Sequence, residues 1–481
     1  MTHARDPRGV SFRELDHSVG VWAEHLRDAG VPDGATIGLV VDDPIDFSLA
    51  FLSIIACGLW VAPLDPGLPG HGTAGIGAAL QRVGAEFICS NTAASDGIPA
   101  TALPFPVEAR QPGDEFLPLT DRQLDGTGGA VLATSGTTGT PKVIRLHQSQ
   151  LLHTATSVAG HHELSPQDRG FNSLPMFHIN AEVVGLLSSL TAGSSLVLDD
   201  RFHRTNFWSL MAHHRITWIN AVPAIVSRLA DPKPDEVIPA GIRFTRSASA
   251  PLPAQILSQY EANTGIPVLE TYGMSEAASQ ITANPLRGVR KPGSVGLPVG
   301  IELRIVAEDG DPDVGQVEIR GASVITAYGG HDHADRFDAD GWLRTGDLGH
   351  FDPDGYLYLD SRTDDVINRG GEKVFPREIE EIILEDGDVA AVSVVGEHDP
   401  ELNQVPVAFV VLTDSDSDQA DRAPEVVDRI TKFVETALVR SKRPVRYRVV
   451  GELPANATGK VQRRALRAGD VEVLYEFDCR A

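Results

Sequence analysis

A glycine- and threonine-rich loop, directly after an apolar run, constrains this chain more than any other feature. The apolar run covers residues 130–133 and is typical of a buried strand, and the loop covers residues 134–142. Its glycines permit a tight turn and a close approach of backbone N–H groups to a ligand. Hydroxyl side chains add donors, and Lys142 adds a positive charge. The loop predicts a polyphosphate site other than a Walker loop, with an ordinary polar turn as the alternative.

The pattern around this loop predicts a layered α/β fold with mostly parallel strands. Helical spacing of apolar residues starts after Ser11, which is a suitable N-cap. Strand-like runs at residues 36–41 and 59–64 flank an apolar helix at residues 45–55. Strands and helices that alternate in this way favour a parallel sheet covered by helices.

Length and pattern together divide the chain into two domains, because 481 residues are too many for one hydrophobic core. Residues 301–360 show short strands between turn residues and predict a β-rich subdomain. A compact α+β pattern then starts afresh. We therefore place an N-terminal domain at residues 1–363 and a small mobile C-terminal domain at residues 364–481. Within the latter, the acidic run 413–424 predicts a solvated surface loop.

Charge and cysteine content exclude several classes of function. A formal net charge of −25 argues against broad binding to nucleic acid or to anionic membranes. Three widely spaced cysteines exclude a disulfide framework and suit the reducing cytoplasm. The N-terminus lacks the apolar run of a signal peptide, and no segment reaches the length of a membrane span. We expect a cytoplasmic protein, with a homodimer left open as its assembly.

Residues 270–276 form the second stretch that carries chemistry. Tyr272 offers a ring that can stack on a purine, Ser275 a hydroxyl that can reach a phosphate, and Glu276 a carboxylate that can hold Mg²⁺. The alternative is a helix start with Ser-x-x-Glu-like capping, and the two interpretations are compatible.

Four further candidates have ordinary structural explanations when each is taken alone. Asp347 can accept two hydroxyl groups of a ribose, but it ends a common Thr-Gly-Asp turn. Gly370 and Gly371 form a simple hairpin turn. Lys460 alone is a solvated surface lysine, and His178 alone is a structural histidine.

In their order and spacing, these stretches resemble the adenylate-forming superfamily, which includes acyl-CoA synthetases, luciferases and adenylation domains. The resemblance covers nearly the whole chain and is carried by residues 134–142, 270–276, 342–347, 361–365 and 454–460. It implies the fold of that superfamily, in which a large domain of α/β subdomains and a β-rich subdomain precedes a small mobile α+β domain.

The resemblance implies a site for ATP or AMP with Mg²⁺. It assigns catalytic roles to Thr134, His178, Glu276 and Lys460, with Glu276 as the metal ligand and Lys460 between the carboxylate and the α-phosphate. The family more often has glycines at Ser249 and its neighbour. The implied nucleotide-binding residues are Thr134, Ser135, Gly136, Thr137, Thr138, Gly139, Lys142, Ser249, Ala250, Thr271, Tyr272, Gly273, Met274, Ser275, Asp347 and Arg362.

The same resemblance implies where the acyl group and CoA bind and which residue is the hinge between the domains. Gly371 would leave the pantetheine tunnel free of a side chain, and Asp364 would be the hinge between the domains. The implied acyl pocket is His178, Asn180, Ala181, Ala221, Val222 and Ser247, and the implied CoA contacts are Arg369, Gly370, Gly371 and Lys373.

Within the superfamily, the chain is similar to acid–CoA ligases of the oxalyl-CoA synthetase type. Residues 246–250, 284–286, 291–296 and 368–373 carry this likeness. Asn180 and Ala181 stand where relatives often have other residues, which argues against oxalate itself. A larger or more apolar acid, as in secondary metabolism, is an equal alternative.

One residue departs from the family pattern in a way that bears on activity. Relatives have glycine after the loop lysine, and this chain has Val143. If that glycine serves a special backbone angle or close packing, a β-branched residue displaces the loop. The hypothesis is that adenylation is then impaired while acyl transfer from a supplied acyl-adenylate survives.

These observations predict an ATP-dependent acid–thiol ligase that forms an acyl-AMP and then a CoA thioester. Rotation of the small domain would withdraw Lys460 and present the Gly371 face for the second step. Two alternatives stay open: a stand-alone adenylation enzyme that loads a carrier protein, and a catalytically silent nucleotide-binding protein.

Overall fold

The structure is a computed structural model. It describes residues 1–68, 73–91, 100–103, 128–134, 142–308, 311–329, 334–413, 419–455 and 460–480. In these ranges, no helix is both long and apolar enough to cross a membrane.

The described residues form 24 strands. In chain order they are β1 Thr2–His3, β2 Thr36–Val40, β3 Trp60–Pro63, β4 Phe87–Ser90, β5 Thr101–Leu103, β6 Gly129–Thr134, β7 Lys142–His147, β8 Arg169–Asn172, β9 Ser195–Leu198, β10 Trp218–Ala221, β11 Phe244–Ser247, β12 Val268–Tyr272, β13 Thr282–Ala283, β14 Leu297–Pro298, β15 Glu302–Glu308, β16 Asp311–Arg320, β17 Leu343–Phe351, β18 Leu357–Arg362, β19 Ile367–Arg369, β20 Glu372–Val374, β21 Val389–Asp399, β22 Asn403–Leu412, β23 Arg446–Val450 and β24 Val473–Asp478.

The helices alternate with these strands. They are α1 Phe12–Asp28, α2 Pro44–Ala56, α3 Thr73–Val83, α4 Gln148–His161, α5 Ser188–Thr191, α6 Phe207–His213, α7 Pro223–Leu229, α8 Ala254–Thr264, α9 Pro376–Ile383, α10 Gln419–Ala437 and α11 Arg463–Ala468, with a π-helix at Asn180–Leu187 and short 3₁₀ turns at Ser275–Ala277, Ala334–Arg336, Thr363–Asp365 and Arg440–Lys442.

Four sheets organise the fold. The first has the order β1-β9-β8-β10-β11-β12-β13-β14 and is parallel through β12. The second has the order β5-β4-β2-β3-β6-β7, with only β7 antiparallel. Strands β15 to β18 form an antiparallel sheet, and β19 to β24 form the sheet of the C-terminal domain. The predicted layered fold with mostly parallel strands is confirmed.

The first helix shows how local sequence sets these elements. The Ser11 side chain accepts the Glu14 N–H at 3.2 Å, and the Glu14 carboxylate accepts the Ser11 N–H at 2.7 Å. This capping box satisfies two backbone donors at the helix start. Val19, Trp22 and Leu26 form the buried stripe of the helix.

The hydrophobic cores divide where a domain boundary is predicted. One large core includes residues up to Leu357, whereas a separate core starts at Ile367 and fills the space between α9, α10 and the last sheet. The interval between them contains Asp364, which is exposed in the 3₁₀ turn. The division at 363 and 364 and the hinge role of Asp364 stay predictions.

The acidic segment 413–424 was expected to be a surface loop, and this is wrong for its second half. Helix α10 begins at Gln419 and includes Pro424, while residues 414–418 lie outside the described part of the chain. Pro424 is the sixth residue of this helix, so it has no N–H to donate to the carbonyl oxygen four residues earlier, and the helix continues without that hydrogen bond. The neighbouring Ala423 is fully buried, so packing onto the core extends the helix.

The π-helix buries a carboxyl group that has no partner. Glu182 is 0% exposed, and neither of its carboxyl oxygens accepts or donates a hydrogen bond among the described residues. Burial raises the pKa of Glu182 well above its ordinary value. Burial therefore favours the protonated form of this carboxyl group in the folded protein.

We expect Glu182→Leu to stabilise the fold by about 1–3 kcal/mol at pH 8, because it removes an unsatisfied buried polar group. Between the ordinary value of 4.5 and the raised pKa of the folded state, the unfolded chain releases a proton that the folded chain keeps. The stability of the wild type therefore falls with rising pH in this window. Denaturant titrations from pH 4 to pH 8 should show the gain growing with pH, and a constant gain would contradict the assignment.

Candidate active site

The glycine- and threonine-rich loop joins two antiparallel strands at the edge of the second sheet. Thr134 ends β6, Lys142 begins β7, and the two residues pair in register. The ammonium of Lys142 lies 5.0 Å from the centre of the Tyr328 ring. Five of the predicted phosphate contacts lie outside the described residues: Ser135, Gly136, Thr137, Thr138 and Gly139.

Val143 has ordinary strand geometry. It pairs with Ala133, and its carbonyl oxygen accepts the N–H of Gly329 at 2.8 Å. Its φ is not among the positive values of the chain, so no special backbone angle is needed at this position. The impaired-adenylation hypothesis therefore rests on packing alone and stays a prediction.

A tyrosine that sequence reasoning did not single out connects Lys142 to the predicted metal ligand. The Tyr328 hydroxyl donates to Oε1 of Glu276 at 2.9 Å. Burial lowers the pKa of Lys142, the Arg336 guanidinium acts in the same direction, and the Glu276 carboxylate opposes both. Among the described residues, no lysine or arginine forms an ion pair with Glu276. A buried carboxylate without a resident cation fits a Mg²⁺ ligand.

The predicted ribose contact is part of a three-residue cluster. The Tyr272 hydroxyl donates to Oδ2 of Asp347 at 2.5 Å, and Nε of Arg362 lies 3.2 Å from Oδ1 of Asp347. Asp347 and Arg362 are direct cross-strand neighbours on β17 and β18. The Thr-Gly-Asp motif was expected to be a turn, but it lies within β17, because the β15–β18 sheet extends through it.

Backbone geometry explains which residue types fit at two positions of the predicted nucleotide-binding motifs. A Cβ at Gly273 would lie 1.4 Å from the carbonyl oxygen of Ser279, so no side chain fits there. Ser249 has a φ of 77°, in the left-handed region that favours glycine, which explains why relatives have glycine nearby. Ala250 follows Ser249 in the same bend, which leads away from the end of β11.

The remaining nucleotide candidates surround the end of β12. The Thr271 hydroxyl donates to the carbonyl oxygen of Ser247 at 3.2 Å, which fixes β12 against β11. Met274 accepts backbone N–H groups from Ala277 and Ser279, and Ser275 begins the 3₁₀ turn that carries Glu276. The predicted motif therefore forms one compact turn at the carboxyl end of β12.

Lys460 belongs to the C-terminal domain but reaches this cluster. The residue is exposed to solvent in this structure. Desolvation within the cleft lowers the pKa of Lys460, Arg362 adds to this effect, and Asp347 opposes it. The structure thus brings the distant lysine together with the predicted ribose-binding pair.

The predicted CoA contacts form a hairpin between β19 and β20. Gly370 and Gly371 have φ values of 62° and 97°, which only glycine adopts freely. Nη1 of Arg369 donates to the carbonyl oxygens of Arg440, Ser441 and Arg443 at 2.7–3.2 Å, so it braces the domain. Lys373 is exposed on β20. Their contacts with CoA stay predictions.

The predicted acyl pocket lies at the carboxyl ends of the central parallel strands. Ala221 ends β10, Ser247 ends β11, and Val222 begins the turn into α7. Across from them, Asn180 and Ala181 begin the π-helix and are buried. Ligands commonly bind at this edge of parallel sheets.

His178 lies two residues before the π-helix, and its ring is tilted against that of Phe177, with ring centres 4.6 Å apart. Its Nε2 is buried and makes no hydrogen bond with the described residues. Burial lowers the pKa of His178, whereas Asp65 acts in the opposite direction. A neutral ring with an unpaired nitrogen suits the predicted position beside the acyl group.

Sequence reasoning missed a buried polar network next to this pocket. Nη1 of Arg246 donates to Oδ1 of Asn180 at 3.0 Å and to Oδ1 of Asn220 at 3.2 Å, and Nε of Arg246 donates to Oε1 of Gln280 at 3.3 Å. The Asn220 amide also donates to Asn172 at 3.0 Å. Asn172 and Asn220 interrupt otherwise apolar strands, and this signal was available in the sequence.

Comparison with known proteins agrees with the geometry. The family described as AMP-binding enzyme matches residues 2–329, and the AMP-binding enzyme C-terminal domain matches residues 378–460. A sulfoacetate–CoA ligase of Cupriavidus necator is 36% identical, with 95% of this chain and 92% of the relative covered. An oxalate–CoA ligase of Arabidopsis thaliana is 32% identical, with 91% and 89% covered.

Solved structures show the same architecture. The o-succinylbenzoate CoA synthetase of Bacillus subtilis, in complex with its acyl-adenylate intermediate, has a TM-score of 0.82 and 27% identity, over 96% of this chain and 94% of that one. The same enzyme has been solved with ATP and a magnesium ion. The chain therefore belongs to the AMP-binding enzyme family, within the adenylate-forming superfamily of the acyl-CoA synthetases.

Proposed function

We propose that the chain is an AMP-forming ligase that joins a small carboxylic acid to CoA. The observation that carries this proposal is the position of Lys460 beside Asp347 and Arg362, since it brings a cation of the C-terminal domain to a nucleotide site of the N-terminal domain. We propose a cytoplasmic setting, which is compatible with cysteines that form no disulfide among the described residues.

In the first step, a carboxylate oxygen of the acid attacks the α-phosphorus of ATP, and the bond between the α-phosphorus and the bridging oxygen breaks. Lys460 is placed to offset the negative charge that develops at the α-phosphate. Asp347 would accept the ribose hydroxyls, and Lys142 would meet the outer phosphates. Glu276 would hold Mg²⁺, which neutralises phosphate charge. The products are acyl-AMP and pyrophosphate.

In the second step, the CoA thiolate attacks the acyl carbon, and AMP leaves. The exposed hairpin at Gly370 and Gly371 would line the approach of the pantetheine arm after the small domain has turned about Asp364. Lys460 would be withdrawn in that arrangement, so one chain would serve two transition states.

The acids that name the relatives have a common chemical feature. Sulfoacetate, oxalate and o-succinylbenzoate each carry a second acidic group besides the carboxylate that is joined to CoA. We therefore propose a small acid of this kind as the substrate class.

Mass spectrometry of products from a panel of carboxylic acids tests the function. With ATP, Mg²⁺ and CoA, at least one acid should yield stoichiometric AMP and acyl-CoA. Replacement of CoA by a holo-carrier protein distinguishes the carrier-loading enzyme. Absence of AMP with every acid and acceptor would refute the ligase and leave a silent nucleotide-binding protein.

The Val143 hypothesis makes a separate prediction. If packing at Val143 displaces the phosphate loop, the chain shows no acid-dependent ATP–pyrophosphate exchange but forms thioester from synthetic acyl-AMP and CoA. Exchange with a cognate acid at a rate comparable to thioester formation would end the hypothesis. Both assays use the unmodified chain and the same acid.

A further inference from the structure

Three neighbouring strands of the first sheet, β8, β10 and β11, carry polar side chains in one row. Asn220 is in register with Asn172 on β8 and with Arg246 on β11, and all three residues are at most 1% exposed. A polar row in the interior of a parallel sheet is unusual, since such strands are normally apolar on both faces. Buried polar groups of this kind are retained where they serve a specific structure or ligand.

The cation in this row, Arg246, has no counter-ion among the described residues. Its hydrogen bonds, through Nε and Nη1 of Arg246, all go to neutral amide oxygens, and Nη2 makes none with the described residues. Nor does any described carboxylate form an ion pair with it. Elsewhere the chain supplies carboxylates to its arginines, as Asp347 does for Arg362 and Asp365 for Arg463.

Arg246 stays charged despite its surroundings. Burial lowers the pKa of Arg246 to about 9, so the guanidinium is still protonated at neutral pH. A buried charge without a partner is strongly unfavourable, and proteins compensate it with an opposite charge. The described residues provide none, and an anionic ligand would supply this charge.

A second group beside Arg246 also lacks a partner. Gln280 receives the Arg246 Nε–H through Oε1, while its Nε2 is buried and makes no hydrogen bond with the described residues. Two unused donors, Nη2 of Arg246 and Nε2 of Gln280, therefore belong to contacting residues. Such a pair fits an anionic group with two or more oxygens.

The network connects directly to the acyl pocket. Asn180, which begins the π-helix after His178, accepts from Arg246 and also contacts the Asn220 amide at 3.3 Å. Ser247 follows Arg246 on β11, and its hydroxyl is buried without a partner among the described residues. The residues predicted to wall the acyl group therefore adjoin the unpaired cation.

We propose that Arg246, assisted by Gln280, binds a second anionic group of the substrate acid, a carboxylate or a sulfonate. This inference rests on the proposed function, and it names the residue that selects the substrate class. Arg246 then acts as a specificity residue, since the anion that it holds is remote from the carboxylate that reacts. A more apolar acid is disfavoured, because it would leave the guanidinium unpaired.

The test compares each dianionic acid with a monoanionic isostere in which the second acidic group is a neutral amide. The pairs are malonate with malonamate, succinate with succinamate, and sulfoacetate with 2-sulfamoylacetate. For at least one pair, wild-type kcat/KM for thioester formation should favour the dianion by about 100-fold or more. Arg246→Gln should reduce this ratio to within about threefold, through loss on the dianion only. The carboxylate and sulfonate pairs show which anion fits.

Two further variants separate specificity from folding. Arg243→Gln removes an arginine of the same region that pairs with Asp168 at 2.9 Å, and it should keep the wild-type ratio. Gln280→Glu keeps Arg246 and supplies an internal carboxylate. It should raise the melting temperature of the ligand-free protein and abolish the preference for dianions.

Binding without ATP distinguishes failure of this inference from failure of the proposed function. Thermal shifts by each acid pair should be larger for the dianion in the wild type and equal in Arg246→Gln. If no acid yields AMP, the ligase is refuted, and the thermal shifts still decide the anion site. Equal shifts for both members of every pair, or an unchanged preference in Gln280→Glu, would overturn the role of Arg246.

Discussion

Lys460→Ala should lower acid-dependent ATP–pyrophosphate exchange by about 10²- to 10³-fold, the cost typical of losing one donor to a developing oxyanion. Lys460 lies in the cleft beside Arg362 and Asp347, so it is the cation of the small domain that reaches the nucleotide site. Thioester formation from synthetic acyl-AMP and CoA should change by no more than about threefold. The two half-reactions are measured separately on one preparation.

A lysine of the same domain provides the matched control. Lys442 pairs with Glu378 at 2.8 Å, within the C-terminal domain, and Lys442→Ala should leave both half-reactions at the wild-type rate. Equal loss of both half-reactions in Lys460→Ala would contradict the proposed domain alternation. It would show that the lysine supports the structure of the small domain.

Glu276→Gln should lower the same exchange reaction by about 10²-fold and raise the Mg²⁺ concentration needed for half-maximal rate. The substitution removes one negative charge but keeps the shape of the side chain. The Tyr328 hydroxyl can still donate to the amide oxygen, so the local structure is retained. Measured rates at a series of Mg²⁺ concentrations separate loss of metal affinity from loss of the fold.

Tyr328→Phe gives a graded comparison for this prediction. It removes the hydrogen bond to Glu276 and leaves the carboxylate, so the exchange rate should fall by less than about tenfold.

An identical Mg²⁺ dependence in the wild type and in Glu276→Gln would exclude Glu276 as the metal ligand.

Local patterns predicted much of the fold. The cap at Ser11, the apolar helix α2 and the strands β2 and β3 follow from apolar periodicity and capping chemistry, and the structure places them within one or two residues. The start of α10 could not be predicted in this way. Its first turns are polar, and the burial of Ala423 against the domain core decides the helix.

The candidate site was predictable where a motif is continuous in sequence. The turn at residues 270–276 was singled out from its residue types, and the resemblance to the adenylate-forming superfamily pointed to Asp347 and Arg362. Tyr328 and the network around Arg246 were not, because their partners are 26 to 66 residues away in the sequence. Only the assembled sheet shows that Arg246 has neutral neighbours.

The hydrogen bond between Gly329 and Val143 has a consequence for cooperativity. It tethers the strand that leaves the phosphate loop to the segment whose Tyr328 holds Glu276. A nucleotide bound beside Lys142 would therefore also restrain the Glu276 carboxylate, and a metal ion bound by Glu276 would restrain the start of β7 in return. By thermodynamic reciprocity, we expect ATP and Mg²⁺ to reinforce each other's affinity through the protein as well as through direct coordination.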